Sequence, residues 1–500
     1  MELAGWINGK AIFVGSDGKK SKRWELENHL RVENRVEYLR KIAHHSAKAS
    51  KIDSKGAIYE IDGMGIAPDF IRHLSELTVK FTQPNSKYPF SEKRFIEFVS
   101  MAYYQYGAEI VNSSGDPEKI WRIQSYRQFG YNEQLHNLIA RSYYLYSILW
   151  KTVPKAADLD IESAISNEIG TSYRKSLLLT LLHMTFESGH FERLDEASFQ
   201  EVNSGFGKDL FYQDYQNYLN WVSIDHNSPA LTSEGISPFL NFPIIKTDFM
   251  PQNYKSPACV IVSRQDLILK ATRGIYFHLS DRLRSGKSNP FKVRFGYVFE
   301  EYVGNLLKYH LQTHSVKPEK YKKQKNSVDS IDWICKKGKS ALLVEVKQAS
   351  IYLKSKLSGD FDDYKKDLNQ TLIDALTQIK TFYDDVQSGQ YPELKEYIQC
   401  EVQGVIVMYD PLYNAMDVLQ KVIDSVLGMP KINIHVINIE DLELLLDNMP
   451  IECDLFEVLK AKSASETKKD QDFKEFVISE FPQNGGSKFL APYYTELVGR

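Results

Sequence analysis

The run Ala341-Leu342-Leu343-Val344-Glu345-Val346-Lys347 places the tightest limit on what this chain can fold into. It is an apolar segment of strand length that ends on a carboxylate and an amine. Side chains alternate along a strand, so Glu345 and Lys347 leave the same face. Thirteen positions upstream of Glu345, Asp332 opens a second short apolar segment, Trp333-Ile334-Cys335. The intervening Lys336-Lys337-Gly338-Lys339-Ser340 has the composition of a hairpin turn. Such a hairpin brings Asp332 beside Glu345. A further acid, Glu300, sits in Phe295-Gly296-Tyr297-Val298-Phe299-Glu300-Glu301-Tyr302-Val303, whose apolar positions continue through Leu306, Leu307 and Leu311 as an amphipathic helix.

The elements around these residues read as helix (291–314), the strand with Asp332, the strand with Glu345 and Lys347, and a lysine-rich connection. Helix (364–386), strand (402–408), helix (415–427), strand (432–437) and helix (440–446) follow. This order suits a central mixed sheet flanked by helices on both faces. A helical acid, an aspartate opening a strand and Glu-x-Lys ending an apolar strand, in this order, resemble the PD-(D/E)XK (restriction-endonuclease-like) nuclease superfamily. Gln378-Ile379-Lys380-Thr381-Phe382 also resembles the Gln-hydrophobic-x-x-Tyr motif of its RecB-like branch. Phe382 stands where tyrosine is usual, with Tyr383 one place on, and Ile331 stands where the superfamily's older name calls for proline. The resemblance covers 291–446 only.

The resemblance implies a metal-dependent phosphodiesterase, and the residue types suit that chemistry. Phosphodiester hydrolysis at neutral pH needs a hard cation that stabilises charge on the phosphate and lowers the pKa of an attacking water, and such a cation takes oxygen ligands. Asp332, Glu345 and the carbonyl of Val346 are the implied ligands of Mg²⁺, with Mn²⁺ as a substitute. Glu300 matches the family's helical acid and would hold a second ion or position the first through water. Lys347 would orient or deprotonate the attacking water, as a flexible ammonium can. Gln378 would bond nucleic acid or a metal-bound water. By analogy the implied substrate is DNA rather than RNA, and the setting bacterial restriction or antiphage defence. A nuclease-fold module that binds nucleic acid or assembles without cleaving is the alternative.

The rest of the chain divides by composition. Residues 1–240 read as a mainly helical domain, an all-helical unit ahead of the nuclease-like one, that selects substrate or partner and could carry a homo-oligomer contact. Prolines between 225 and 253 break the helical periodicity, so 241–290 reads as a connector with short strands, including 258–262 and 267–269. Residues 291–450 form the nuclease-like domain, and 451–500 a charged linker and tail. A formal net charge of −3 gives no bulk attraction to nucleic acid, so binding would need a local patch. Lysines crowd the approach to Asp332, with Lys320, Lys322 and Lys323 as the strongest candidates, and Lys336, Lys337 and Lys339 follow in the turn. Aromatics interleaved with arginines between Arg94 and Trp150 offer a second surface, although such residues are more often core.

Other chemistries are excluded. Gly286-Lys287-Ser288 lacks the P-loop glycine at Asp281, Gly205-Phe206-Gly207-Lys208 is followed by Asp209 in place of a hydroxyl, and no Gly-x-Ser-x-Gly elbow occurs. His44-His45 reads as a surface pair. The four cysteines are too scattered for a zinc knuckle or a disulfide framework and read as reduced thiols. No run of eighteen apolar residues and no signal peptide is present, so the expectation is a cytoplasmic protein with no membrane partner.

Overall fold

The computed structural model describes residues 2–7, 10–14, 23–49, 60–112, 135–204, 209–232, 237–250, 254–323, 326–348, 360–410 and 432–499, apart from a few positions inside these spans, together with Ser355, Ser358, Leu419 and Ile423. The fold is mixed α and β, with one five-stranded and one four-stranded mixed sheet.

Strand Ser340–Lys347 is the middle of the five-stranded sheet because both of its faces are apolar. The order runs Asn433–Asn438, Glu401–Met408, Ser340–Lys347, Asn326–Lys337, Ser315–Lys323. The first two pairings are parallel, with Glu345 opposite Ile406, and the last two antiparallel, with Val344 opposite Trp333. Lys337 pairs with Ser340 around a two-residue turn in which Gly338 has φ of 58°. That positive φ is the conformation a tight hairpin demands and glycine supplies at least cost.

The alternation along Ser340–Lys347 divides the core in two. Ala341 and Leu343 join Ile331 and Ile334 under the long helix Phe361–Ser388. Leu342, Val344 and Val346 point the other way with Trp333 and Cys335, against helix Pro290–His310. Asn289 caps that helix by accepting from the Lys292 amide at 3.1 Å, and Pro290 occupies its first turn. Gly304 is required there by close approach: a Cβ would come within 2.0 Å of the Trp333 ring. Asp360 caps the long helix, and Gly389, at φ of 66°, ends it.

Several expectations are corrected. The region before 240 is not all-helical, since strands His190–Glu192 and Ser223–Asp225 pair with Ala258–Ile261 and Ile244–Lys246 in the four-stranded sheet. Residues 267–269 lie in helix Arg264–Ala271, not a strand; the short apolar run is shared by both periods, and the Ser263 cap on the Asp266 amide decides for helix. The region after 451 is not a linker and tail: helices Leu455–Ala464, Phe473–Glu480 and Ala491–Val498 place Phe456, Phe473, Phe476 and Leu497 in the same core as helix Pro290–His310. That core also takes in Tyr146, Trp150, Tyr173 and Tyr276, so the residues expected to form a connector and the later part of the helical region share it. At its centre Glu443 accepts two hydrogen bonds from Arg141 at 2.7 Å and one from Tyr302 at 2.5 Å, joining three helices. His45 is not a surface residue; it is buried and stacks on Phe95 with ring centroids 5.7 Å apart. The helix expected at 415–427 lies outside the described residues except for Leu419 and Ile423, both buried. No described helix is long and apolar enough to cross a membrane.

Candidate active site

The carboxyl end of the central strand emerges between helices Pro290–His310 and Phe361–Ser388, and there the candidate residues meet. The antiparallel ladder ends at Trp333 and Val344, and beyond it the Asp332 carboxylate takes over as acceptor, receiving the Val346 amide on Oδ2 at 2.8 Å. A strand residue presents its N–H and C=O toward the same neighbouring strand, so the Val346 carbonyl faces this edge too. Glu345 and Lys347 share a face as alternation requires, and Lys347 Nζ donates to Glu345 Oε2 at 2.7 Å. Gln378, on the long helix, accepts from the same amine at 2.8 Å. The exposed glutamine that a helix position suggests is therefore a half-buried partner of Lys347.

Glu345 is fully buried, and its second oxygen, Oε1, has no hydrogen-bond partner. Burial pushes its carboxyl up to about 8, the nearby Asp332 charge adds to the rise, and the Lys347 ammonium opposes it. A buried acid whose ionisation a neighbouring carboxylate makes costlier, with one oxygen unsatisfied, is a strained group in the protein alone.

A cleft of about 500 Å³ opens over this edge. Asp332, Val346 and Lys347 form its floor, Lys292, Gly296 and Glu300 one wall at successive helical turns, and Asp367 and Thr371 the other. Glu300 lines it, and the Glu300 carbonyl is fixed by the Trp333 indole N–H at 2.9 Å. Asp367 accepts from buried Ser355 at 2.6 Å. Among the described residues no three His, Cys, Asp or Glu side chains are drawn together as a metal cluster. The fit to a hard cation rests on the donor chemistry: two adjacent carboxylates, the main-chain carbonyl of Val346, and the unsatisfied Glu345 Oε1.

Sequence reasoning did not reach Lys292, Tyr297, Asp367 or Thr371. The first two lay in the helix already read, at spacings of eight and three from Glu300, and Asp367 and Thr371 precede Gln378 by eleven and seven on one helix. That phase was the available signal. Phe382, the departure from the tyrosine position, is a core residue packed on Tyr397. Asp329, three residues before Asp332, would face away from it on a regular strand, but the pairing shifts register between Asp329 and Ile334, so parity does not carry through.

The lysines divide by position. Lys336 and Lys317 both pair with Glu396, at 3.1 and 2.9 Å, and Lys337 with Asp454 at 3.1 Å, so this part of the expected patch is engaged at the turn end of the hairpin, away from the carboxylates. Lys320 pairs in the ladder with Asp329, Lys322 with Ser327 and Lys323 with Asn326, which sets their backbone beyond Asp332 at the cleft end; their side chains lie outside what the structure describes. The second surface resolves mainly as core: Phe95, Phe98, Tyr144, Tyr146 and Trp150 are buried, Arg94 pairs with Glu33 and Arg141 with Glu443. Arg122 and Arg127 lie outside the described residues. No protein-family model, curated protein or solved structure matches the chain.

Proposed function

We propose that this cleft is the active site of a Mg²⁺-dependent nuclease, acting on DNA rather than RNA, in a PD-(D/E)XK-like domain built on the five-stranded sheet. The observation that carries the reading is the buried Glu345 carboxylate, with one oxygen on Lys347 and the other unsatisfied, directly behind the Asp332 and Lys347 that line an open cleft. A purely structural ion pair has no use for that second oxygen, and leaving it bare in the core costs about 1 to 3 kcal/mol.

Asp332, Glu345 and the Val346 carbonyl would hold the cation, with Glu300 reaching it through water. Bound there, the cation would supply charge stabilisation at the phosphate and a more acidic water. Asp332 keeps its carboxylate aimed by accepting the Val346 amide. Lys347 is fixed between Glu345 and Gln378, so its ammonium is held in the plane of the floor, where it can take a hydrogen bond from no one and donate to the incoming water or phosphate oxygen. Gln378 is thus a positioning residue, acting through Lys347.

The test is incubation of the purified chain with linear duplex, single-stranded DNA and RNA in Mg²⁺, Mn²⁺ or EDTA, alongside Asp332→Ala and Glu345→Ala. We expect metal-dependent cleavage that both substitutions abolish while the fold stays intact. Full activity in either variant would remove the site assignment, and no cleavage of any substrate would favour a non-cleaving nucleic-acid-binding module.

A further inference from the structure

We propose that the cleft wall formed by Lys292 and Tyr297, with Lys155 at the rim, is a second subsite that grips one unpaired nucleic-acid strand beside the carboxylates, so that the substrate enters as a single strand or a frayed end. This deepens the nuclease reading and rests on it for the identity of the strand.

Three observations meet here. Lys292 lines the cleft half-buried, and among the described residues no carboxylate pairs with its amine, whereas its neighbour Arg294 is engaged by Asp158. On the same helix, Lys292 stands eight residues before Glu300, about 12 Å along the axis at 1.5 Å per residue. An unstacked strand spaces its phosphates more widely than the roughly 3.4 Å rise of a duplex strand, so this distance holds at most about three linkages. A phosphate on Lys292 would therefore lie a few nucleotides from one at the carboxylates, on a single connected strand.

Between these two points the wall is apolar and aromatic. Val293, 54 % exposed, and Tyr297 both line the cleft. Lys155 lies over the Tyr297 ring at 4.5 Å, which brings a second cation to the rim from the helical region of the chain. The Arg294–Asp158 pair, with Nε at 2.7 Å, holds the segment that carries Lys155 against the helix. A ring flanked by ammonium groups is how a protein binds successive bases without reading their edges, because every base has a stacking face and every linkage a charge. The cleft's volume, about 500 Å³, is that of a small-molecule pocket. That is room for a short stretch of one strand and not for a duplex within the cleft.

The measurement is fluorescence anisotropy of the full chain with a labelled dT₁₂ strand and with a blunt twelve-base-pair duplex, in EDTA, across a salt series. Lys292→Ala should weaken dT₁₂ binding five- to tenfold and reduce its salt slope by about 0.7, the loss of one single-strand phosphate contact. Tyr297→Ala should weaken it at least fivefold with the slope unchanged, and Tyr297→Phe, which keeps the ring, should bind as the parent does. Duplex affinity should move in none of them. A parent without affinity for dT₁₂, or alanine variants that match the parent in affinity and slope, would overturn the subsite. Metal-dependent cleavage by the parent is scored separately: cleavage with unaltered binding in the variants removes the subsite and leaves the nuclease, and altered binding without cleavage does the reverse.

Discussion

Glu345→Gln tests the raised titration of this carboxylate through the pH dependence of stability, and its metal role through Mg²⁺ rescue. Burial and the Asp332 charge hold the Glu345 carboxyl at about 8, against 4.5 for an ordinary glutamate. The folded protein therefore binds this proton more tightly than the unfolded chain, so the associated stability is fully present below pH 4.5 and is lost as pH rises through 8. Each pH unit in that window removes up to about 1.4 kcal/mol, for a total on the order of 5 kcal/mol once the carboxylate is fully ionised. The amide cannot ionise. It can keep one oxygen on Lys347, and its NH₂, placed near the partnerless Oε1 position, costs a roughly pH-independent 1 to 3 kcal/mol. The readout is thus the slope and not the absolute stability. Urea denaturation of both proteins in EDTA from pH 5 to 8.5 should give a parent curve that falls more steeply than the variant's. The other buried acids, such as Asp472, raised to about 7, are common to both and cancel. Saturating Mg²⁺ should restore the parent at pH 8, by about 2.7 kcal/mol at a hundredfold excess over Kd, and leave the variant unchanged. Parallel curves for the two proteins in EDTA would refute the reasoning, because Glu345 would then titrate alike in the folded and unfolded chains.

Lys347→Ala should lower cleavage at least a hundredfold, the size of a general acid–base or electrostatic contribution, with Mg²⁺-induced stabilisation intact; full rate at saturating metal would make the amine merely structural. Gln378→Ala should cost less, about tenfold, and act only through Lys347, so that the double variant is no slower than Lys347→Ala; additive losses would place Gln378 on the substrate instead. Neutralising Lys320, Lys322 and Lys323 together should weaken duplex binding across all sequences and flatten the salt slope by up to about three, with cleavage chemistry unchanged, and a slope equal to the parent's would move the duplex contact to another surface.

What could be read in the chain was local and periodic. Alternation placed Glu345 and Lys347 on one face, the glycine-containing turn set Asp332 beside them, and four of the sheet's five strands were legible because each carried its own period, whereas the lysine-rich edge strand Ser315–Lys323 was not read. What escaped depended on partners distant in sequence. Arg141 and Glu443 are 302 residues apart, and nothing in either neighbourhood announces that they are buried against one another. For the same reason the last fifty residues looked like a charged tail, although their apolar positions complete a core begun at Ile139. The lysines misled in the opposite sense: nearness in sequence to Asp332 grouped Lys336 and Lys337 with the site, but a hairpin sends its turn and its open end in opposite directions.

That geometry also explains why a costly acid can sit where it does. Leu342 and Val344 anchor one face of the strand, Ala341 and Leu343 the other, and all four are buried within the sheet, so the backbone at 345–347 cannot move to relieve Glu345. A carboxylate on a loop would turn to water and return to its ordinary titration. On this strand its second oxygen, the one Lys347 does not reach, can be satisfied only by a proton or by a cation placed between it and Asp332. The rigidity that makes the site expensive to the empty fold is what would set its ligands in place before a cation arrives.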